Sequence, residues 1–324
     1  MADEFFAHIF RPFPEFGEKR TKEVRTTLGT VSVVERVREW ELPWPLDVRG
    51  TVGHLRRGAG DPTFVYGSDG SIWRAVQTPD GPGTVTLRID GSRVLGRAWG
   101  PGADWLLEQL PDFLGASDDP QAMIVHDDVV AGLVRRSVGL RIGRTDRVWE
   151  ALVPAILEQK VVGAEAFRAW RYLVRRFGEP APGPVPDTMR VPPPRAAWAD
   201  IPSWEWHRSG IEPVRMRTIR GATVMDVERH HDRLRRLRGV GRWTEAETRA
   251  RAVGDIDAVS VGDYHIPTLV GMTLIGEPVD DAGMLELLEP YAGQRRRIIR
   301  MVELYGVRRE RRGPRMTVRD YRSF

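Results

Sequence analysis

Asp263 stands in Val261-Gly262-Asp263-Tyr264-His265-Ile266-Pro267, directly after a glycine, beside two rings and just ahead of a proline that marks a helix start. A carboxylate so placed has two compatible uses. It can cap the following helix, and it can act as counter-charge to a cation that forms during a reaction while orienting or deprotonating water. Twenty positions upstream, Trp243 follows Leu237-Arg238-Gly239-Val240-Gly241-Arg242. Glycines two residues apart before a helix bring bare N–H groups close to an anion, and phosphate is the natural occupant. Taken alone, such a turn is equally well a glycine-rich connection without a ligand.

Composition narrows the chemistry. The 324 residues include no cysteine, which removes disulfides, thiolate nucleophiles, iron–sulfur clusters and cysteine-type zinc sites. The seven histidines form no His-x-x-x-His pair, so a catalytic divalent metal is not expected. No apolar run approaches the roughly 20 residues of a membrane span, and the first residues lack signal-peptide order. The expectation is a cytoplasmic, nucleoid-associated monomer with no membrane partner. Net charge is only +4, but the cations are nearly all arginine, with lysine at 19, 22 and 160. They cluster late, in "RLRRLR" (233–238), "QRRRIIR" (294–300) and "RRERRGPR" (308–315). Such runs are solvated helix faces or, gathered on one side, a phosphate track.

These residues must be held by something. Residues 1–44 read as an N-terminal extension, with a short strand near "TVSVVERV". Residues 45–118 alternate apolar and polar residues between "GSDG" and "PDGPG" turns, which predicts an antiparallel sheet covered by a helix over 102–115. From 119 to 312 the period becomes helical, with two apolar-faced helices over 146–178 joined near Gln159-Lys160-Val161. Residues 179–202 are too proline-dense for regular structure and read as a stiff surface connection. Further helices are predicted at 203–209, 213–220, 224–236, 242–253, 281–290 and 293–306, and 313–324 is a tail. The fold class is α+β, a small antiparallel sheet domain followed by an all-α domain.

With the motifs in place, the chain resembles the helix-hairpin-helix DNA glycosylase superfamily, most closely the bacterial 3-methyladenine DNA glycosylase II family. Leu237-Arg238-Gly239-Val240-Gly241 matches its Leu-Pro-Gly-Ile/Val-Gly hairpin with Arg238 at the proline, and "AILEQKVVGAEA" resembles its paired-helix turn. The resemblance spans roughly 46–306. It implies an N-glycosylase that flips a damaged, alkylated base from double-stranded DNA and hydrolyses its bond to deoxyribose. Asp263 then stabilises the sugar cation and orients water, and His265 fastens its loop. Trp243, Glu247 and Tyr264 belong to the base pocket, where an aromatic wall favours positively charged bases. Trp243 otherwise reads as a core aromatic.

The resemblance also assigns Gln159, Lys160, Gly239, Val240, Gly241 and Arg242 to DNA binding. Backbone carbonyls of Arg235, Leu237 and Val240 match the positions that hold a Na+ or K+ ion, and no other cofactor is required. Bifunctional members carry an attacking lysine where this chain has Trp243, and none lies between hairpin and Asp263, so the implied enzyme has no lyase step. Glu247 departs from an aromatic, and it either faces the pocket, faces solvent or pairs with an arginine. Lys160 departs from an apolar plug, and it fills the gap left by the flipped base, binds phosphate, pairs with a pocket carboxylate or is a plain surface lysine. A DNA-binding module that keeps the hairpin without catalysis is the alternative reading.

Overall fold

The computed structural model describes residues 20–28 and 31–307, with side chains from residue 34 onward. Strands β1 (Arg20–Leu28), β2 (Val31–Glu41), β3 (Phe64–Tyr66), β4 (Ile72–Thr78), β5 (Gly81–Asp90) and β6 (Arg93–Trp99) form one antiparallel sheet in the order β1-β2-β6-β5-β4-β3. Short strands β7 (Glu179–Pro180) and β8 (Arg190–Val191) pair separately. The helices are α1 (Val48–Val52), α2 (Ala103–Phe113), α3 (Asp128–Arg136), α4 (Val148–Leu157), α5 (Gly163–Phe177) and α6 (Ala197–Asp200). They continue with α7 (Ser203–Ser209), α8 (Pro213–Ala222), α9 (Arg242–Ala252), α10 (Ile266–Leu274), α11 (Asp281–Leu288) and α12 (Arg295–Tyr305). Among the described residues, no helix is long and apolar enough to cross a membrane.

Alternation along β4 to β6 turns Ile72, Val76, Val85, Leu87, Val94 and Ala98 inward, where the buried stripe of α2 (Leu106, Leu107, Leu110, Phe113) covers them. Gly96 lets the helix approach, because a Cβ there would lie 2.7 Å from Leu110 Cδ1. The fold is the expected α+β. The sheet, however, begins well inside residues 1–44: β2 pairs with β6 and β1 with β2, which widens the sheet by two strands. Their β-branched composition suits a sheet face better than a free extension.

The helical part has two cores. One gathers α4, α5, α7 and α8 around the stacked indoles of Trp170, Trp198 and Trp206 and takes in Leu234, Leu237 and Val240. The other joins α3, α10, α11 and α12. Two expectations are corrected here. Residues 224–236 do not form an α-helix, only a 3-10 segment from His231 to Arg236 kinked at Arg233. The preceding stretch instead carries Glu228 to the start of α4, where its carboxylate accepts from the N–H groups of Val148 and Trp149. The proline-rich segment is not merely a surface connection, for Ala181, Met189 and Val191 bury a small core against Ala75 of the sheet.

The arginines of 294–300 are neither solvated nor aimed outward. Arg296 pairs with Glu247 at 2.8 Å, Arg297 with buried Asp118, Arg295 with Asp257, and Arg300 with Glu303 at 2.9 Å. The pairs with Glu247, Asp118 and Asp257 join α12 to the rest of the fold. The run at 308–315 lies outside the described residues.

Candidate active site

The glycine turn leaves the 3-10 segment at Leu237 and enters α9 at Arg242, with Leu237 and Val240 anchoring it in the first core. Gly239 has φ +89°, and a Cβ there would meet Thr218 Oγ1 at 2.1 Å, so only glycine fits. Gly241 is different: its φ is −100° and a Cβ would meet no atom of the chain within 4 Å. Packing requires the first glycine and leaves open space around the second.

The turn between α4 and α5 docks onto this hairpin. Gln159 Nε2 donates to the Gly239 carbonyl at 2.9 Å and to Thr244 Oγ1 at 2.8 Å. Lys160, the next residue, is exposed and left-handed at φ +54°, a conformation that costs an L-residue about 1–2 kcal/mol. Around the hairpin Arg229, Arg233, Arg235, Arg236, Arg238 and Arg242 are exposed. Gln159, Lys160, Gly239, Gly241 and Arg242 therefore lie together at the hairpin, while the Val240 side chain is buried in the first core.

Asp263 meets the first turn of α9 through Trp243. Its Oδ1 accepts the N–H groups of His265 at 2.7 Å and Ile266 at 3.0 Å, which tethers the loop to the start of α10. Its Oδ2 accepts Trp243 Nε1–H at 2.8 Å. The carboxylate thus fulfils the capping role and still faces the half-buried indole. His265 contributes its backbone N–H to the loop rather than its ring, which is exposed and packs edge-on against Tyr264 at 4.9 Å. Tyr264 is 82% exposed, with only the neighbouring His265 ring packed against it among the described ring contacts.

Glu247 is the clearest correction. One turn beyond Trp243, it is buried rather than offered to a base. One oxygen accepts from Ser260 and from Arg296, and the other accepts from Arg251. Burial opposes its charge, but the Arg251 and Arg296 guanidinium groups overcome that and hold the carboxyl well below its ordinary range. The pairing reading is the one realised.

Several neighbours escaped the sequence reading. His54, after α1, has a buried Nδ1 without a hydrogen-bond partner, and burial followed by the charges of Arg300, Arg251 and Arg296 holds its pKa far below the usual value. Arg57 is buried with its guanidinium 5.1 Å from the Trp170 ring centroid. Glu158 sits at the C-cap of α4, and burial pushes its carboxyl up despite Arg251 and Arg57 nearby. An acid closing an apolar helix, against the macrodipole, was the available signal. Among the described residues no cluster of three His, Cys, Asp or Glu suits a metal ion.

The sequence matches no family model and no curated relative. The fold does have solved counterparts. The 3-methyladenine DNA glycosylase from Archaeoglobus fulgidus superposes with a TM-score of 0.70 at 18% identity, over 82% of this chain and 97% of that one. The chain has the fold of the helix-hairpin-helix DNA glycosylases. A second counterpart within this glycosylase fold is the apo 8-oxoguanine glycosylase/lyase of Clostridium acetobutylicum, with TM-score 0.66 and 11% identity over 90% of this chain and all of that one. The same enzyme in complex with dsDNA containing cytosine opposite 8-oxoG gives 0.65 and 10% over 89% and 98%.

Proposed function

We propose that the protein is a monofunctional DNA glycosylase that extrudes a damaged base, of the alkylated class that the sequence resemblance implies, and hydrolyses its N-glycosidic bond. The observation that carries this reading is the seat of Asp263: tethered by two backbone N–H groups and the Trp243 indole, next to a glycine hairpin flanked by exposed arginines. As the base departs, positive charge develops on the sugar, and a fixed carboxylate stabilises it without reorganising. The same carboxylate takes a proton from the attacking water. Solved glycosylases of both 3-methyladenine and 8-oxoguanine type share the fold, which supports the general activity.

Double-stranded DNA is the partner, bound by a monomer. The open space at Gly241 suits close approach of a phosphate to the hairpin N–H groups. A Na+ or K+ ion there fits the carbonyl set. No described backbone N–H donates to the carbonyls of Arg235 or Val240, and the Leu237 carbonyl, which accepts from Val240 N–H at 3.0 Å, keeps a second lone pair. Such an ion links hairpin to phosphate and takes no part in bond breaking.

The monofunctional reading is supported by Trp243, which stands at the position where the sequence resemblance puts the attacking amine and donates to Asp263. The test is incubation of the protein with methylated duplex DNA, measuring released base and alkali-labile sites. Release is expected in the wild type and lost in Asp263→Asn. Strand cleavage without alkali, or a covalent complex trapped by borohydride, would contradict the monofunctional reading. DNA binding without base release would indicate a non-catalytic module.

A further inference from the structure

Among the described residues, the Glu158 side chain makes no hydrogen bond and no ion pair, although charged groups surround it. Those groups converge from three directions: Arg57 from the segment after α1, Glu247 and Arg251 from α9, and Asp263 from the loop before α10. Glu247 and Arg251 are already committed to each other. The position itself is fixed, because Arg215 Nη1 donates to the Leu157 carbonyl at 3.0 Å and Gln159 is locked to the hairpin. A carboxyl is therefore held without a partner beside the hairpin contact and within electrostatic reach of Asp263. Burial and the carboxylates of Glu247 and Asp263 favour its protonated form against the pull of Arg251 and Arg57.

Resting on the glycosylase reading above, we propose that Glu158 lines the base pocket as a second catalytic residue, donating a proton to the departing base, and that it extends the substrates to neutral modified purines alongside cationic alkylated ones. A cationic base such as 7-methylguanine leaves as a neutral molecule unaided. A neutral base leaves as an anion unless it is protonated. When the bond from C1′ to the base nitrogen breaks, its electron pair stays with the base, and the Glu158 O–H proton passes to a ring nitrogen or carbonyl oxygen. Water adds to C1′ and gives its proton to Asp263. Exchange with solvent then reprotonates Glu158 and clears Asp263, so that one water is consumed and one base and one abasic sugar are formed.

The experiment compares single-turnover release of 7-methylguanine with that of hypoxanthine and ethenoadenine from otherwise identical duplexes, for the wild type and Glu158→Gln, between about pH 5 and 9. The variant is expected to lower neutral-base release by about 100-fold or more relative to 7-methylguanine release. In the wild type, neutral-base release should fall as pH rises through the raised Glu158 pKa, and the variant should lack that limb. Its thermal midpoint at about pH 8 should not lie below that of the wild type, since a desolvated carboxyl is replaced by a neutral amide. Equal loss for both classes of base, or a wild-type profile identical for both, would overturn the role of Glu158 alone. Release of no base from any duplex by the wild type would overturn the glycosylase reading and this role together.

Discussion

The Trp243 indole N–H donates to Asp263 Oδ2 at 2.8 Å, joining residues twenty positions apart. The bond fixes the orientation of both the carboxylate and the indole ring. Replacing Trp243 with Phe keeps most of the ring and removes the donor. Base release should slow by roughly 10-fold, with little change in DNA affinity, as read from single-turnover rates and a binding titration. An unchanged rate would mean that the indole only fills space.

The two hairpin glycines should separate stability from binding. Gly239→Ala forces a left-handed alanine into Thr218 Oγ1 and should cost about 1–3 kcal/mol or more in urea denaturation. Gly241→Ala meets nothing within the chain and should stay within about 0.5 kcal/mol of the wild type. Its effect should appear as weaker duplex binding. Equal stability losses would refute the distinction.

Glu247→Gln tests a structural against a pocket role. Removing the carboxylate strands the buried Arg251 and Arg296 guanidinium groups, and breaking a buried pair costs about 3–5 kcal/mol. Denaturation should show this loss. Normal stability with altered base preference would return Glu247 to the pocket.

Stability should also decline toward acid in two stages. The folded pKa of His54 is depressed, so its contribution is full above its unfolded value of about 6.5 and is lost as pH falls toward the folded value. Glu247, also depressed, behaves likewise below its unfolded range of about 4.3. Thermal midpoints measured against pH should fall through both windows, and His54→Gln should remove the upper one. A variant that keeps the upper limb would assign it to another group.

Local patterns were legible in the chain. Hairpin turns rich in glycine and aspartate, the apolar stripe of α2 and the Gly-Val-Gly turn each state their geometry within a few residues, because backbone freedom and period are local properties. The segment from 224 to 236 was misread as a helix because its decisive interaction, Glu228 at the start of α4, joins positions about 80 apart. The arginine run at 294–300 was misread for the same reason, since its carboxylate partners come from positions 118, 247 and 257.

By itself, the sequence determined the order of sheet and helices, the hairpin and the identity of its candidate carboxylate, Asp263. Only the tertiary structure decided which acids are free. It tied Glu247 to two arginines, left Tyr264 exposed and left Glu158 unpartnered within electrostatic reach of Asp263. Whether a charge is available depends on what distant segments bring beside it, and on how much water they exclude.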